Sequence, residues 1–133
     1  MDPTLERLSD DVLARREQLP RKPAPVVLTG ERVELRPLDL AGDLDSPIAQ
    51  GTGVSREATH LMCAHAFALG YRRVEWKCDA NNLRSRRAAL SYGFTFEGIQ
   101  EAHYIVKGRN RDTAWFRILD REWPALQTRS RTM

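Results

Sequence analysis

The chain has 133 residues, 41% hydrophobic and 29% charged, a balance that fits one soluble globular domain with a modest core. No apolar run approaches the length of a membrane span, and the N-terminus lacks the apolar core of a signal peptide. The net charge of +3 weakly suits an anionic ligand, but 18 acidic residues are interspersed with the basic ones, which describes a mixed solvated surface better than a nucleic-acid or membrane face.

In chain order, Asp2–Pro20 reads as a helix, with Pro3 suited to a first turn and Leu5, Leu8, Val12 and Leu13 at helical spacing. "RKPAP" breaks regular structure, so residues 1–25 are expected to form an N-terminal helix and linker ahead of a domain spanning 26–133. "VVLTGERVELRPL" reads as a short hairpin turning at Thr29 and Gly30, with Val33 and Leu35 alternating with charges. "DLAGDLDSPIAQGTG" is loop-like. After Gly53 a helix carries Ala58, Leu61, Met62, Ala66 and Leu69 on one face, and Gly70 is placed to end it. "RRVEWKCD" alternates Val74, Trp76 and Cys78 against Glu75 and Lys77, a half-buried strand. A second helix follows, capped by Asn81 or Asn82 and stopped by Gly93. "TFEGIQEAHYIV" and "DTAWFRIL" read as antiparallel strands joined by "KGRNR", and "DREWPALQ" as a short terminal helix. The order implies an α/β or α+β sheet whose first helix is opened by a glycine turn.

That turn, "QGTGVS", has chemistry available to it. Gly51 and Gly53 present no side chain to an approaching anion, and the first N–H groups of the helix lack internal partners, so together they can cradle a diphosphate. A loop ending in a serine cap explains the same glycines, and the dinucleotide fingerprint is not met, since the third glycine and a preceding strand are missing. In "DANNLRS", Asn82 and Ser85 either cap the helix or project toward a ligand from the carboxyl end of the strand. His60, His65 and His103 are too scattered to chelate a metal, and no Ser-His-Asp arrangement is legible. Arg84, Arg86 and Arg87 read as a solvated helix face. Cys63 and Cys78 have no metal-like spacing, which points to a reduced, cytoplasmic protein.

Taken together, these segments resemble the GNAT acetyltransferases. "QGTGVS" before a helix is similar to that family's coenzyme A turn, with Gln50 and Gly53 matching and Ser55 replacing the last small residue. "YRRVEWKCDANNLRSRRAALSYGFTFEG" resembles its run of strand, Asn, Ser-bearing helix, Gly-Phe and Glu-Gly. "KGRNRDTAWFRILDREWPAL" and "LTGERVELRPL" resemble the terminal hairpin and first strand of the branch that includes ribosomal-protein N-terminal acetyltransferases. The resemblance covers Val26–Leu38 and Gln50–Leu126.

It implies a GNAT-like mixed sheet flanked by helices, and coenzyme A bound by Gln50, Gly51, Thr52, Gly53, Val54, Ser55 and Arg56, with Asn82 and Ser85 near the pantetheine arm or phosphates. It implies acetyl transfer from acetyl-CoA to an amine, which needs a proton acceptor and a backbone N–H on the thioester carbonyl. Only "DLAGDLDSPIA" stands where the family has two helices and three strands, so the sheet is expected to be shortened. The position of the family's frequent tyrosine acid is Ala89, with Tyr92 displaced along the helix, and no catalytic residue is assigned. The expectation is an N-acetyltransferase or a truncated descendant with weak or no activity. The alternative is a non-catalytic coenzyme A-binding or dimerising protein, in which two chains cover edges left by the shortening. Nucleic-acid binding through the basic helix is the weakest reading, and the acceptor amine is unknown.

Overall fold

The computed structural model describes residues 7–18, 24–31, 34–35 and 54–132. Within them the chain runs α1 (Asp10–Gln18), β1 (Leu28–Thr29), β2 (Glu34–Leu35), α2 (Val54–Ala68), β3 (Arg73–Asp79), α3 (Leu83–Ser91), β4 (Thr95–Val106), β5 (Arg109–Leu119), a single 3-10 turn (Asp120–Glu122) and α4 (Trp123–Thr132). The fold is α+β. β1 and β2 form a two-stranded antiparallel ribbon, and β3, β5 and β4 form an antiparallel sheet in that order. Parallel pairing, the other component of the mixed sheet, does not occur among the described residues.

The alternation of "RVEWKCD" sets the core. Val74, Trp76 and Cys78 lie opposite Ile118, Phe116 and Ala114 of β5, so both strands turn their apolar residues to the same face. That face is closed by Cys63 of α2, Ala89 of α3 and Trp123 of α4, with Phe94 between α3 and β4. Phe116 and Ile118 are 1% exposed, each burial contributing roughly 1.5–3 kcal/mol. Phe67 and His60 of α2 pack on the Trp123 ring, with centroids at 5.4 and 5.0 Å.

The opposite face is polar. Arg73 pairs with Glu75 at 2.7 Å and with both carboxylate oxygens of Glu97, and Arg117 reaches Glu122 at 3.1 Å. Further along, Lys77 lies over the Trp115 ring at 5.6 Å, and Trp115 Nε1 donates to Gln100 Oε1 at 2.9 Å. β4 is irregular here: between Gln100 and Tyr104 three residues face only Asp112 of β5, and Ala102 takes a positive φ of 52°. The Ala102 N–H donates to Asp112 Oδ1 at 2.8 Å, as does Asn110 Nδ2, and these bonds hold the Asp112 carboxyl below the usual carboxylate range.

Both middle helices end alike. Gly70 donates to Phe67 and Tyr71 to Ala66, while Gly93 donates to Leu90 and Phe94 to Ala89, each glycine at positive φ. These are paired closures that satisfy the last helical carbonyls, as the two glycines foreshadow.

Three sequence expectations need correction. α1 begins at Asp10, because Ser9 caps it through Oγ to the Val12 N–H at 3.4 Å; Arg7 and Leu8 precede the helix, and Pro3 and Leu5 lie outside the described residues. In the first hairpin Thr29 pairs with Glu34, so the turn begins after Thr29 rather than at it. The β4–β5 turn is not the five residues "KGRNR" but Lys107 and Gly108, both at positive φ, with Val106 opposite Arg109.

Candidate functional site

The first turn of α2 begins at Val54, immediately after the Gly51-Thr52-Gly53 stretch. Gln50, Gly51, Thr52 and Gly53 lie outside the described residues, as does the Val54 side chain. Ser55 and Arg56 are exposed on that turn. Arg56 Nη1 donates to the carbonyl of Ser91 at 3.1 Å, and its guanidinium sits over the Tyr92 ring, 5.1 Å from the centroid. Ser91 is the last residue of α3, so this cation sits where the α3 dipole is negative and its carbonyls lack internal partners. Arg56 therefore clasps the start of α2 to the end of α3.

Asn82 and Ser85 lie at the other end of α3. Asn82 is the N-cap, its side-chain oxygen accepting the Ser85 N–H at 3.0 Å, and Asp79 Oδ1 accepts the Asn81 N–H at 2.9 Å in the turn that leaves β3. Ser85 Oγ accepts from Trp76 Nε1 at 3.1 Å, tying the helix to the inward face of β3. The Trp76 ring meets Tyr92 edge-on at 5.8 Å and Phe94 at 5.6 Å. Thus the sequence pair Asn82 and Ser85 has the capping role, and Ser85 a second role that spacing alone did not reveal. The signal was present, since an inward indole needs a polar partner for its N–H.

The structure brings the α2 start against one end of α3 and places Asn82 at the other. Nine helical residues separate these ends, roughly 13 Å at about 1.5 Å each. A ligand touching both has to be extended along α3. The crevice behind Arg56, lined by Thr59, His60, Cys63, Tyr92, Ile118 and Trp123, has a volume of about 20 Å³, too small for such a ligand. Two larger clefts lie elsewhere, one of about 450 Å³ between α1, α2 and α4 and one of about 590 Å³ against Trp115 on the polar face. Neither touches Ser55, Arg56, Asn82 or Ser85.

Cys63, Ala89 and Arg86 are tied into the fold. Burial pushes the Cys63 thiol up to about 11, so it is a poor nucleophile at neutral pH. Ala89 is fully buried in the core. Arg86 turns back to the Ala80 carbonyl at 3.0 Å and lies over Phe96, so the three arginines of α3 do not form one solvated row. Among the described residues no group of His, Cys, Asp and Glu is arranged to hold a metal, and no helix is long and apolar enough to cross a membrane.

Comparison with known proteins gives this arrangement a family. Residues 29–95 match the family model described as an acetyltransferase (GNAT) domain, a span that includes the glycine turn, Arg56, Asn82 and Ser85. No curated protein matches the chain. Among solved structures, a GCN5-related N-acetyltransferase from Brucella melitensis is 57% identical over 56% of this chain and 34% of its own, with a TM-score of 0.55. A probable GNAT-family acetyltransferase from Chromobacterium violaceum is 48% identical over 59% of this chain and 40% of its own, at 0.57. The microcin C7 self-immunity acetyltransferase, solved with acetyl-CoA and AMP, is 28% identical over 53% of this chain and 39% of its own, at 0.50. The chain thus spans about a third to two-fifths of the length of these relatives. With the family model covering half of its residues, this chain belongs to the GNAT acetyltransferase family.

Proposed function

We propose that the chain binds coenzyme A and is an acetyl-CoA-dependent N-acetyltransferase shortened in its middle, with weak turnover. The observation that carries this reading is the placement of α2: it starts directly after the two glycines and is clasped by Arg56 to α3, whose far end bears Asn82. The diphosphate lies against the backbone of Gly51–Arg56, beside Gln50, where the free N–H groups and the helix dipole favour an anion. The pantetheine arm runs along α3 toward Asn82 and Ser85, a reach that an extended arm matches and a compact ligand does not.

The weak turnover follows from what surrounds the thioester end. Ala89 replaces the tyrosine of the family pattern and is sealed in the core. β3 has β5 on one side and no strand on the other among the described residues, the side on which the acyl-lining strand of the family would lie. Losing one oxyanion donor costs about 100- to 1000-fold. The non-catalytic reading, a coenzyme A-binding protein of the same fold, differs only in having no turnover at all.

Residues 1–25 form the N-terminal helix and linker of this proposal and 26–133 the domain, and the functional unit is a homo-oligomer formed at the open side of the sheet. The two free, buried cysteines suit a reducing compartment such as the cytoplasm. Calorimetry with coenzyme A tests the cofactor site. Gly53→Asp is expected to remove binding, and equal affinity before and after overturns the assignment. Free-thiol release from acetyl-CoA with peptide and small-amine acceptors is expected to run well below about 1 per second. Turnover at or above that rate means that the chain assembles a complete active site.

A further inference from the structure

We infer that β3 pairs with β3 of a second copy, antiparallel about a two-fold axis through Trp76, to make one continuous sheet. This inference rests on the proposed self-association and specifies its register. β3 is the terminal strand of the β3-β5-β4 order among the described residues, so one side of its backbone has no strand partner there.

The ladder with β5 settles which residues offer that side. At its two ends the Asp120 N–H donates to the Arg72 carbonyl at 3.0 Å and the Ala80 N–H to the Asp112 carbonyl at 2.8 Å. These fix the even-numbered residues as those that bond to β5, because hydrogen-bonded and non-hydrogen-bonded pairs alternate. Arg73, Glu75, Lys77 and Asp79 therefore direct their N–H and C=O groups to the open side. An antiparallel partner bonds only if odd residues meet odd residues.

Within that constraint the side chains select the register. Centred on Trp76, the pairs are Arg73 with Asp79 of the second copy, Glu75 with Lys77, and the same two in reverse. The charges of "RVEWKCD" invert in sign about Trp76, so all four outer-face pairs join opposite signs. On the inner face Val74 meets Cys78, and the two Trp76 residues meet at the axis. Centring on Glu75 instead sets Glu75 against itself and Arg73 against Lys77. Centring on Lys77 sets Lys77 against itself and Glu75 against Asp79. Centring on Val74 or Cys78 keeps opposite charges but leaves part of the strand beyond the pairing. Only the Trp76 centre uses all seven residues. The contact is isologous, so each favourable pair occurs twice and assembly stops at two chains.

Val74→Cys tests this in the full-length protein. Val74 and Cys78 of the two copies form a non-hydrogen-bonded pair, where opposed Cβ atoms lie about 4.5–5.5 Å apart and a disulfide closes with small adjustment. Within one chain these positions are four residues apart on a strand, roughly 13 Å, and do not link. Mild oxidation is expected to give a species of twice the chain mass, in which mass spectrometry finds residue 74 joined to residue 78. A dimer by light scattering without that link, or with residue 74 joined to residue 74, overturns the register alone. A monomer at all concentrations overturns the self-association as well. If the cysteine variant does not fold, charge exchange serves in its place. Lys77→Glu is expected to weaken the dimer about tenfold, because two attractive pairs become repulsive. The exchange E75K with K77E is expected to restore affinity to within about threefold, and failure to restore it overturns the proposal.

Discussion

Gly93 offers the sharpest test of how this fold is held. It closes α3 at φ +101°, and a Cβ built on it would sit 2.7 Å from Leu126 Cδ2 and 3.2 Å from Leu126 Cδ1. Gly93→Ala therefore carries two costs. The left-handed backbone costs an L-residue about 1–2 kcal/mol. Displacing Leu126, which packs on the core from α4, costs about another 1–2 kcal/mol, at the lower end for a leucine that can rotate. Alanine also restricts the unfolded chain, returning about 0.4–1 kcal/mol. The net loss is about 2 kcal/mol. Gly108→Ala is the internal control: φ is +73° in the hairpin turn and nothing lies within 4 Å of the added carbon. It incurs only the backbone cost and should lose about 0.5–1 kcal/mol. Urea unfolding followed by tryptophan fluorescence measures both. The double variant Gly93→Ala with Leu126→Ala should lose less than the sum of its parts, since truncating Leu126 removes the overlap. If Gly93→Ala costs no more than Gly108→Ala, and the double variant is additive, the packing of α4 on the α3 closure is not as described.

Asn82→Ala removes the N-cap of α3 and should destabilise the protein by about 1 kcal/mol in the same urea titration, while Asn82→Asp, which keeps the cap, should lose only a fraction of that. Ser85→Ala leaves the half-buried Trp76 N–H without its acceptor; a loss of about 1–2 kcal/mol and a changed emission maximum are expected, and Ser85→Thr should recover part of both. The Asp112 carboxyl is depressed chiefly by the Ala102 N–H and then by Asn110, and that of Glu97 chiefly by Arg73. Both groups thus contribute stability above their ordinary values near about 4, and that contribution is lost as the pH falls through their lower folded values. Amide spectra recorded from about pH 5 downward should show the Ala102 resonance shifting in this acid range, and an Ala102 resonance indifferent to pH would contradict the Asp112 contact. Cys63, with its thiol pushed up to about 11, should react with a maleimide orders of magnitude more slowly than a free thiol at pH 8 unless the protein is first unfolded.

The parts of the fold legible in the sequence are those where two independent signals coincide. Arg73–Asp79 alternates in polarity and is bounded by a helix-ending glycine and an asparagine turn, and the strand occupies those residues. Gly70 and Gly93 end helices because the backbone there needs positive φ. Where the signals conflict, reading fails. "KGRNR" is polar throughout and looks like a loop, yet Arg109, Asn110 and Arg111 continue β5, because an exposed strand at the end of a ribbon needs no apolar residue. Lys107 in the left-handed region gives no warning, since lysine is not a usual occupant of that position. Ser9 sets the start of α1 after Leu8 because its hydroxyl satisfies an N–H that a leucine cannot. Among the residues singled out for the site, the cap formed by Asn82 is legible from its place between strand and helix. The Arg56 clasp is not, because it joins residues 35 apart through a side chain and a carbonyl that no local pattern couples.

The strand order also governs how such a chain can acquire its structure. β5 is the last strand in sequence and the middle one in space, and β3 and β4 touch it but not each other. During synthesis β4 and β5 can pair as soon as both have emerged, through their two-residue turn at Lys107 and Gly108, whereas β3 has to wait for β5 across α3 and β4. The enclosure of Phe116 and Ile118 waits for β3 to dock on the β4–β5 hairpin, so the slow step is that long-range capture. Until that capture, Val74 and Trp76 remain open to other chains, and the unpaired β3 is the segment most vulnerable to aggregation.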